Sequence, residues 1–380
     1  MIKEKYIDTI KSRVDISQLV MDLCPGTSLL NAGKNRKKCC CVFHSEKTPS
    51  LMLDLSLNMF KCFGCGKGGD IISFVQELKG FDFVEAVKFL LKTYCPDVDT
   101  SDLYSKQTDE EIEAEHHRES LFICNKFAYD FFRQQYEADC EESARCRLYA
   151  EDRWEREFCK TLGLGYAPLK GNQFLAFARK QGLKTELLLE LGLIAQEEDH
   201  PDHYYDFYRG RLMIPQRDRY GRIVTFTARS LNPQATNKYL NGKDSPIYKK
   251  SLSIFGIDVA LKAARQSGKV YLVEGAPDVM RLQSLGIPNV VASLGGAWSK
   301  EQLNTFSRFG CSLCFIPDAD VPKEGERFGK GEQFVFKNGR LATELGFQVS
   351  VREIPTDGKV KQDADSYITS MDQWETLTEK

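Results

Sequence analysis

The sequence predicts a multidomain chain of α+β and α/β character. A small amino-terminal ribbon with helices comes first, a mixed α+β region follows, and a part built on a parallel sheet closes the chain. Three observations predict this. Two apolar runs, Val270-Tyr271-Leu272-Val273 and Cys314-Phe315-Ile316, stop abruptly at carboxylates, with a helical stretch and a third apolar run between them; such alternation implies parallel strands. Two knuckles, Cys41-x-x-His44 and Cys62-x-x-Cys65, are separated only by residues 45–61. Between about Pro96 and Glu115, Asp, Glu, Ser and Thr dominate and apolar residues thin out, as at a domain boundary.

At 380 residues the chain has room for two or three domains, and its 42% hydrophobic content is enough for a packed core. No apolar run reaches the roughly 18 residues that span a bilayer, and Met1-Ile2-Lys3-Glu4-Lys5 lacks the apolar core of a signal peptide. The expectation is a cytoplasmic protein with no membrane partner. Thirteen cysteines in such a chain favour metal ligands and free thiols over disulfides. A net charge of −2 neither supports nor excludes nucleic acid.

Residues 1–95 form the first expected domain. Residues 3–23 read as one or two amphipathic helices, with Asp15 as a cap. Leu51–Leu55 and Met59–Lys61 read as a hairpin turning at Ser56–Asn58 and running into the second knuckle. The hairpin returns Cys62 and Cys65 beside Cys41 and His44, and three sulfurs with one imidazole make a closed tetrahedral site for structural zinc. Cys39 and Cys40 blur the first ligand, but only Cys41 gives Cys-x-x-His. Two helices, at residues 69–75 and 83–91, pack on the ribbon.

Residues 96–117 are expected to be a flexible linker, and 118–257 a basic subdomain. Residues 118–150 read as helical, with aromatic side chains in the core. Tyr208–Asp218 and Arg222–Arg229 read as a hairpin with arginines at its rim. The stretch from Lys238 to Lys250 is basic, aromatic and broken by Pro246, a composition that suits single-stranded nucleic acid or nucleotide phosphates.

Residues 258–370 are expected to hold the parallel sheet, and 371–380 a tail. Working residues of such sheets lie beyond the carboxyl ends of the strands, which places Glu274, Asp318 and Asp320 on one edge. Converging carboxylates repel, and a divalent cation relieves the repulsion. Hard oxygen ligands suit Mg²⁺ or Mn²⁺, and such a site serves phosphoryl or nucleotidyl transfer. A helix at 332–345 and a strand at 348–354 follow.

The order Glu-Gly…Asp-x-Asp at strand ends resembles the Toprim domain of primases, topoisomerases and some nucleases. Val273-Glu274-Gly275-Ala276-Pro277-Asp278-Val279 and Ala292-Ser293-Leu294-Gly295 resemble the DnaG-type primases in particular. So do the stretches Cys41–Ser50 and Phe60–Gly66, which resemble that family's CHC2 zinc ribbon with Val42 where proline is usual. The basic motif before the Toprim-like stretch and Leu148–Arg153 resemble the family as well, and the likeness runs from about residue 3 to 370. It implies a DNA-dependent RNA primase that takes single-stranded DNA and NTPs, with zinc in the ribbon and Mg²⁺ or Mn²⁺ at the acids. It carries Asp363 and Asp365 onto the acidic edge and adds Asp278 to the candidate catalytic acids. It makes Arg153, Arg217, Arg229, Lys238 and Lys250 candidates for template and nucleotide phosphates, with Asn241 standing at the family's Asn. In the ribbon, Lys61 and its basic neighbours would meet phosphates, and Phe60 or Phe63 would either stack on bases or fill the ribbon core. The charged loop 321–331 departs from the family's small Ala/Gly-rich turn. Residues 371–380 leave no room for a helicase-binding domain, so the expectation is a compact form from a phage, plasmid or other mobile element, with a replicative helicase as an open candidate partner. The rival readings are a non-polymerising module that binds single-stranded DNA and a Toprim nuclease.

Overall fold

The structure, a computed structural model, describes residues 2–103, 109–295, 297–307, 310–322, 328–355 and 361–380. The chain divides into two compact units, Met1–Ile112 and, in the main, Glu113–Ser307 with Cys311–Lys380.

In the first unit Asp15 caps the helix Ile16–Leu23 by accepting from the Ser17 and Gln18 amides. A longer helix, Glu4–Arg13, precedes it. Five antiparallel strands follow in sequence order: Leu30–Asn31, Arg36–Cys39, Leu51–Asp54, Met59–Cys62 and Gly68–Asp70. Alternation decides what points inward: Leu51, Leu53, Phe60 and Cys62 are buried, while Met59 and Lys61 on the same strands face solvent. The turn between the central strands places Asn58 at φ 54°, a conformation that Asn tolerates. Its side chain accepts from the Ile16 amide at 2.8 Å and donates to the Val14 carbonyl at 2.6 Å, tying the hairpin tip to the helix start. Helices Ile71–Lys79 and Phe83–Tyr94 cover the sheet, the second entered through a capping box of Asp82 and Glu85. Phe43, Phe60 and Phe74 pack with ring centroids 5.3–5.4 Å apart. Phe60 is therefore core, while Phe63 is 74% exposed.

Residues 96–103, the first part of the expected linker, are tied to the first helix instead. Asp97 pairs with Arg13 at 2.7 Å, and Asp102 takes both Lys3 and Lys5. Leu103 is buried, and its carbonyl accepts from the Lys3 amide. Acidic composition here answers the basic residues of the first helix rather than marking solvated chain. Residues 104–108 lie outside the described residues, and from Asp109 a helix runs to Glu137.

In the second unit an antiparallel sheet is ordered Tyr239–Asn241, Ile223–Ser230, Arg211–Arg217, Gly165–Ala167. The central hairpin is as expected, and Tyr239–Asn241 adds an edge strand to it. Phe131, Phe132, Phe174 and Phe226 fill the core against the helices. The parallel sheet is ordered Val290–Ala292, Lys269–Val273, Ser312–Phe315, Val349–Val351. A single hydrophobic cluster joins the two sheets, from Trp154 and Leu212 to Val273 and Ile316. Residues 371–380 are not a tail. Trp374 is buried edge-on against Tyr271, Glu379 takes Lys269 at 2.6 Å, and the Lys380 and Val351 backbones pair in both directions. Among the described residues no helix is long and apolar enough to cross a membrane.

Candidate metal centres and nucleic-acid interface

In the first unit the hairpin places the second knuckle against the first. One donor atom from each of Cys41, His44, Cys62 and Cys65 lies within 4.8 Å of the others. Cys41 Sγ is 3.9 Å from Cys65 Sγ, and Cys62 Sγ is 3.9 Å from His44 Nδ1. Backbone amides turn onto the sulfurs, from Phe43 to Cys41 and from Cys65 to Cys62, each at 3.3 Å. Burial pushes the Cys41 thiol up to about 12. At Cys62 burial acts the same way, but the Cys65 amide, the Ser50 hydroxyl and neighbouring thiols outweigh it and bring the thiol to about 7. Three soft sulfurs, one imidazole and no open position fit structural zinc.

Two partners of this site, Glu46 and Gly64, were not foreseen. Glu46 holds His44 Nε2 at 3.2 Å, which leaves Nδ1 for the metal side. The same carboxylate accepts from the Cys41 and Ser50 amides, so it braces the whole first knuckle. Gly64 lies so close to the imidazole that a Cβ there would come 2.8 Å from Nε2. The sequence signal was a carboxylate two residues beyond the ligating histidine.

The parallel sheet delivers the acids as its topology requires. Glu274 follows the central strand Lys269–Val273, and Asp318 and Asp320 follow its neighbour Ser312–Phe315. One carboxylate oxygen from each of the three lies within 4.8 Å of the others. Burial and the nearby Asp318 charge push Glu274 up to about 7. Burial raises Asp318 as well, against the pull of Lys361. The Lys361 ammonium stands 2.7 Å from Asp318 and 3.0 Å from Asp320. An all-oxygen, half-buried acidic edge against which a cation already lies fits Mg²⁺ or Mn²⁺.

The other three candidate acids lie beside this trio but have partners of their own. Asp278 is buried at the start of the helix Ala276–Ser284, where it accepts from the Gly275 amide at 3.0 Å and the Asp365 amide at 3.1 Å. Burial followed by the Asp318 charge raises it well above the usual carboxylate range. Asp365 is 1% exposed and is held by Arg153, with Arg281 3.4 Å away. Asp363 caps the short helix Ala364–Tyr367 by accepting from the Ser366 amide. The second Asp-x-Asp therefore docks the chain end beside the edge, with its carboxylates turned to structural partners.

Glycines bring the helix Lys330–Glu344 onto the first Asp-x-Asp. The Gly331 amide donates to Asp320 at 3.1 Å, and a Cβ on Gly331 would lie 1.9 Å from the Asp318 carbonyl oxygen. On Gly329 it would lie 2.8 Å from the Asp320 carbonyl oxygen. Gly329 and Gly331 of the divergent loop thus serve the acids; its residues 323–327 lie outside the described residues. Gly331→Ala is expected to push the Asp318–Asp320 segment outward and cost about 1–3 kcal/mol of stability, as overpacking does. Thermal melting together with Mn²⁺ titration checks this. An unchanged melting curve with unchanged Mn²⁺ affinity contradicts the contact.

The basic candidates divide. Arg153 is committed to Asp365. Arg217 donates to the Leu162 carbonyl at 2.9 Å. Arg229 donates to the Tyr149 hydroxyl at 3.0 Å and lies over the Tyr239 ring. Asn241 accepts from Thr227, which in turn accepts from Gln216, a network inside the sheet. Lys61 donates to the Gly66 carbonyl at 2.7 Å on the exposed side of the ribbon. Lys238 and Lys250 are exposed. Lys250 reaches the loop after Val290–Ala292, since a Cβ on Gly295 would lie 3.8 Å from its Cε. In that loop Leu294 takes φ 55°, an uncommon conformation for a side-chain-bearing residue. Gly296 lies outside the described residues.

Comparison with known proteins adds to this geometry. Residues 2–106 match the CHC2 zinc finger family, 101–261 the N-terminal domain of the DNA primase catalytic core, and 271–368 the Toprim-like family. A DNA primase of Clostridium acetobutylicum is 31% identical over 370 residues, covering 97% of this chain and 57% of the relative. A DNA primase of Staphylococcus aureus is 29% identical over 367 residues, covering 97% and 58%. The chain thus spans a little under three-fifths of the length of these relatives. The crystal structure of the zinc-binding and RNA polymerase domains of the Aquifex aeolicus primase aligns with 99% of this chain and 86% of its own, at 27% identity and a TM-score of 0.60. The RNA polymerase domain of a Mycobacterium tuberculosis primase aligns with 68% of this chain and 83% of its own, at 25% identity and a TM-score of 0.59.

Proposed function

Because the chain belongs to the DnaG-type DNA primases, we propose that it synthesises short RNA primers on single-stranded DNA. The observation that carries the reading is the trio Glu274, Asp318 and Asp320, gathered at the carboxyl edge of a Toprim-like sheet in a chain that also holds a zinc-ribbon quartet. The three carboxylates would hold Mg²⁺ or Mn²⁺. Such an ion activates an attacking hydroxyl and offsets charge on the transferred phosphoryl group. The protein's own part is placement. Lys238 and Lys250 attract template or nucleotide phosphates, Phe63 offers an exposed ring for stacking, and burial at the edge strengthens each charge contact.

Arg153, Arg217, Arg229 and Asn241 support this surface from beneath: their side chains fix the Tyr149 and Tyr239 rings and the hairpin. Asp278, Asp363 and Asp365 act as positioning residues, holding the Glu274 and Asp365 segments together. The helicase partner is read from the family resemblance alone.

One reaction tests the function. The full chain is incubated with single-stranded DNA, labelled NTPs and Mg²⁺ or Mn²⁺. Template-dependent RNA oligomers are expected. Template binding without product would favour the non-polymerising module, and shortened template would favour the nuclease. Exposure of the two lysines gives a separate expectation: Lys238→Ala and Lys250→Ala should each weaken DNA binding and lower the slope of log K against log salt by about 1. Fluorescence anisotropy across a salt series checks it, and two unchanged slopes would place the template elsewhere.

A further inference from the structure

Among the described residues, Lys361 is the cation placed against Asp318 and Asp320 of the acidic trio, and the proposed chemistry gives it no role. Its ammonium bridges Asp318 Oδ2 at 2.7 Å and Asp320 Oδ1 at 3.0 Å. These two side chains are only 11% exposed, whereas Lys361 is 53% exposed. The geometry points to Lys361 as a tethered counter-ion that occupies the divalent-cation position and must leave when the metal binds, so that it sets the metal affinity of the edge. This rests on the reading of Glu274, Asp318 and Asp320 as the metal site.

Mg²⁺ sits about 2.0–2.1 Å from its carboxylate oxygens. An ion shared by Asp318 and Asp320 would enter the space that Nζ fills. A protonated amine has three donors and no acceptor, so it cannot join the coordination sphere, and two cations in contact repel. Lysine and metal are therefore alternatives on the same two oxygens.

The backbone keeps the alternative close at hand. Gln362 pairs with Ala319, the residue between the two acids: the Ala319 amide donates to the Gln362 carbonyl at 2.7 Å, and the Gln362 amide donates back at 3.1 Å. This bridge does not involve the side chain of Lys361, so its Cα stays beside the Asp-x-Asp segment whichever cation is bound. The long flexible stem of lysine then lets the ammonium swing out while remaining within reach. An ordinary surface ion pair contributes little, but this one neutralises two largely covered acids that would otherwise repel each other and Glu274.

Mn²⁺ binding to the zinc-loaded full chain, without template or nucleotide, tests the inference by electron paramagnetic resonance of the free ion. Lys361→Met removes the charge and keeps the stem. It is expected to tighten Mn²⁺ at the edge about tenfold, the scale of losing one competing contact to a partly buried acid pair. If that variant melts early, Lys361→Gln is read in the same way. A second readout needs no variant: acetylation of Lys361 by an amine reagent, mapped by mass spectrometry, should rise as Mn²⁺ is added. Unchanged or weaker Mn²⁺ affinity on removing the charge, or reactivity indifferent to Mn²⁺, overturns the inference. Asp318→Asn separates the two levels. If it loses the Mn²⁺ site while the Lys361 variants bind as wild type does, only the counter-ion role fails. If Asp318→Asn and wild type bind alike, the edge is not the metal site and both readings fall.

Discussion

Asp318→Asn is expected to lower primer synthesis by on the order of a thousandfold, with zinc content, melting behaviour and template binding preserved. Asparagine keeps the shape and the hydrogen-bonding capacity of the side chain and removes one of three gathered charges. Asp318 also receives Lys361 at 2.7 Å, so the variant frees that ammonium as well. Template binding should hold or tighten, because repulsion between the edge and phosphates falls. Glu274→Gln should behave similarly, since Glu274 is the most central of the three: its Oε1 accepts from the Asp318 amide at 3.3 Å. Primer yield on gels, measured beside anisotropy for DNA binding, checks the expectation. Wild-type yield from a folded Asp318→Asn chain would remove the edge from the chemistry.

Cys65→Ser carries the second large effect. It is expected to release zinc and unfold the ribbon around residues 39–66, with the second unit still folded. The ribbon strands contribute only a few apolar side chains, chiefly Leu51, Leu53 and Phe60, to a core they share with the covering helices. Structural zinc in small domains supplies about 10 kcal/mol or more of folding free energy. Without the metal, Cys41 sits buried among thiols with no charge to hold it. Zinc analysis with hydrogen exchange resolved by peptide checks this. Full zinc in the variant, or unaltered exchange across residues 39–66, contradicts the assignment.

Both centres were legible in the sequence because each rests on local spacing. The knuckles close through one hairpin, and the strand ends of a parallel sheet must lie on one edge, so Glu274, Asp318 and Asp320 could be placed without coordinates. The longer-range contacts were not legible in this way. Asp365 has the same Asp-x-Asp look as Asp320, yet Arg153 and Arg281 reach it from distant segments and turn it into a buried ion pair. Composition also misled at residues 96–103, where acids that suggested a linker pair with Lys3, Lys5 and Arg13. At residues 371–380, helix Met371–Thr376 and the Lys380 pairing complete the sheet edge. Gly331 was visible only as a breaker in a divergent loop; its reason, the Asp318 carbonyl pressed against it, is a contact between segments.

The central claim is that Glu274, Asp318 and Asp320 together form a divalent-metal site for nucleotide chemistry. Anomalous diffraction at the manganese edge, from crystals of the full chain soaked with Mn²⁺ and a nucleoside triphosphate, tests it most directly. An anomalous peak coordinated by oxygens of these three carboxylates is expected, with triphosphate oxygens completing the sphere and Lys361 moved off Asp318 and Asp320. A peak held by Asp363 or Asp365 instead, or no peak at the edge under saturating Mn²⁺, would contradict it.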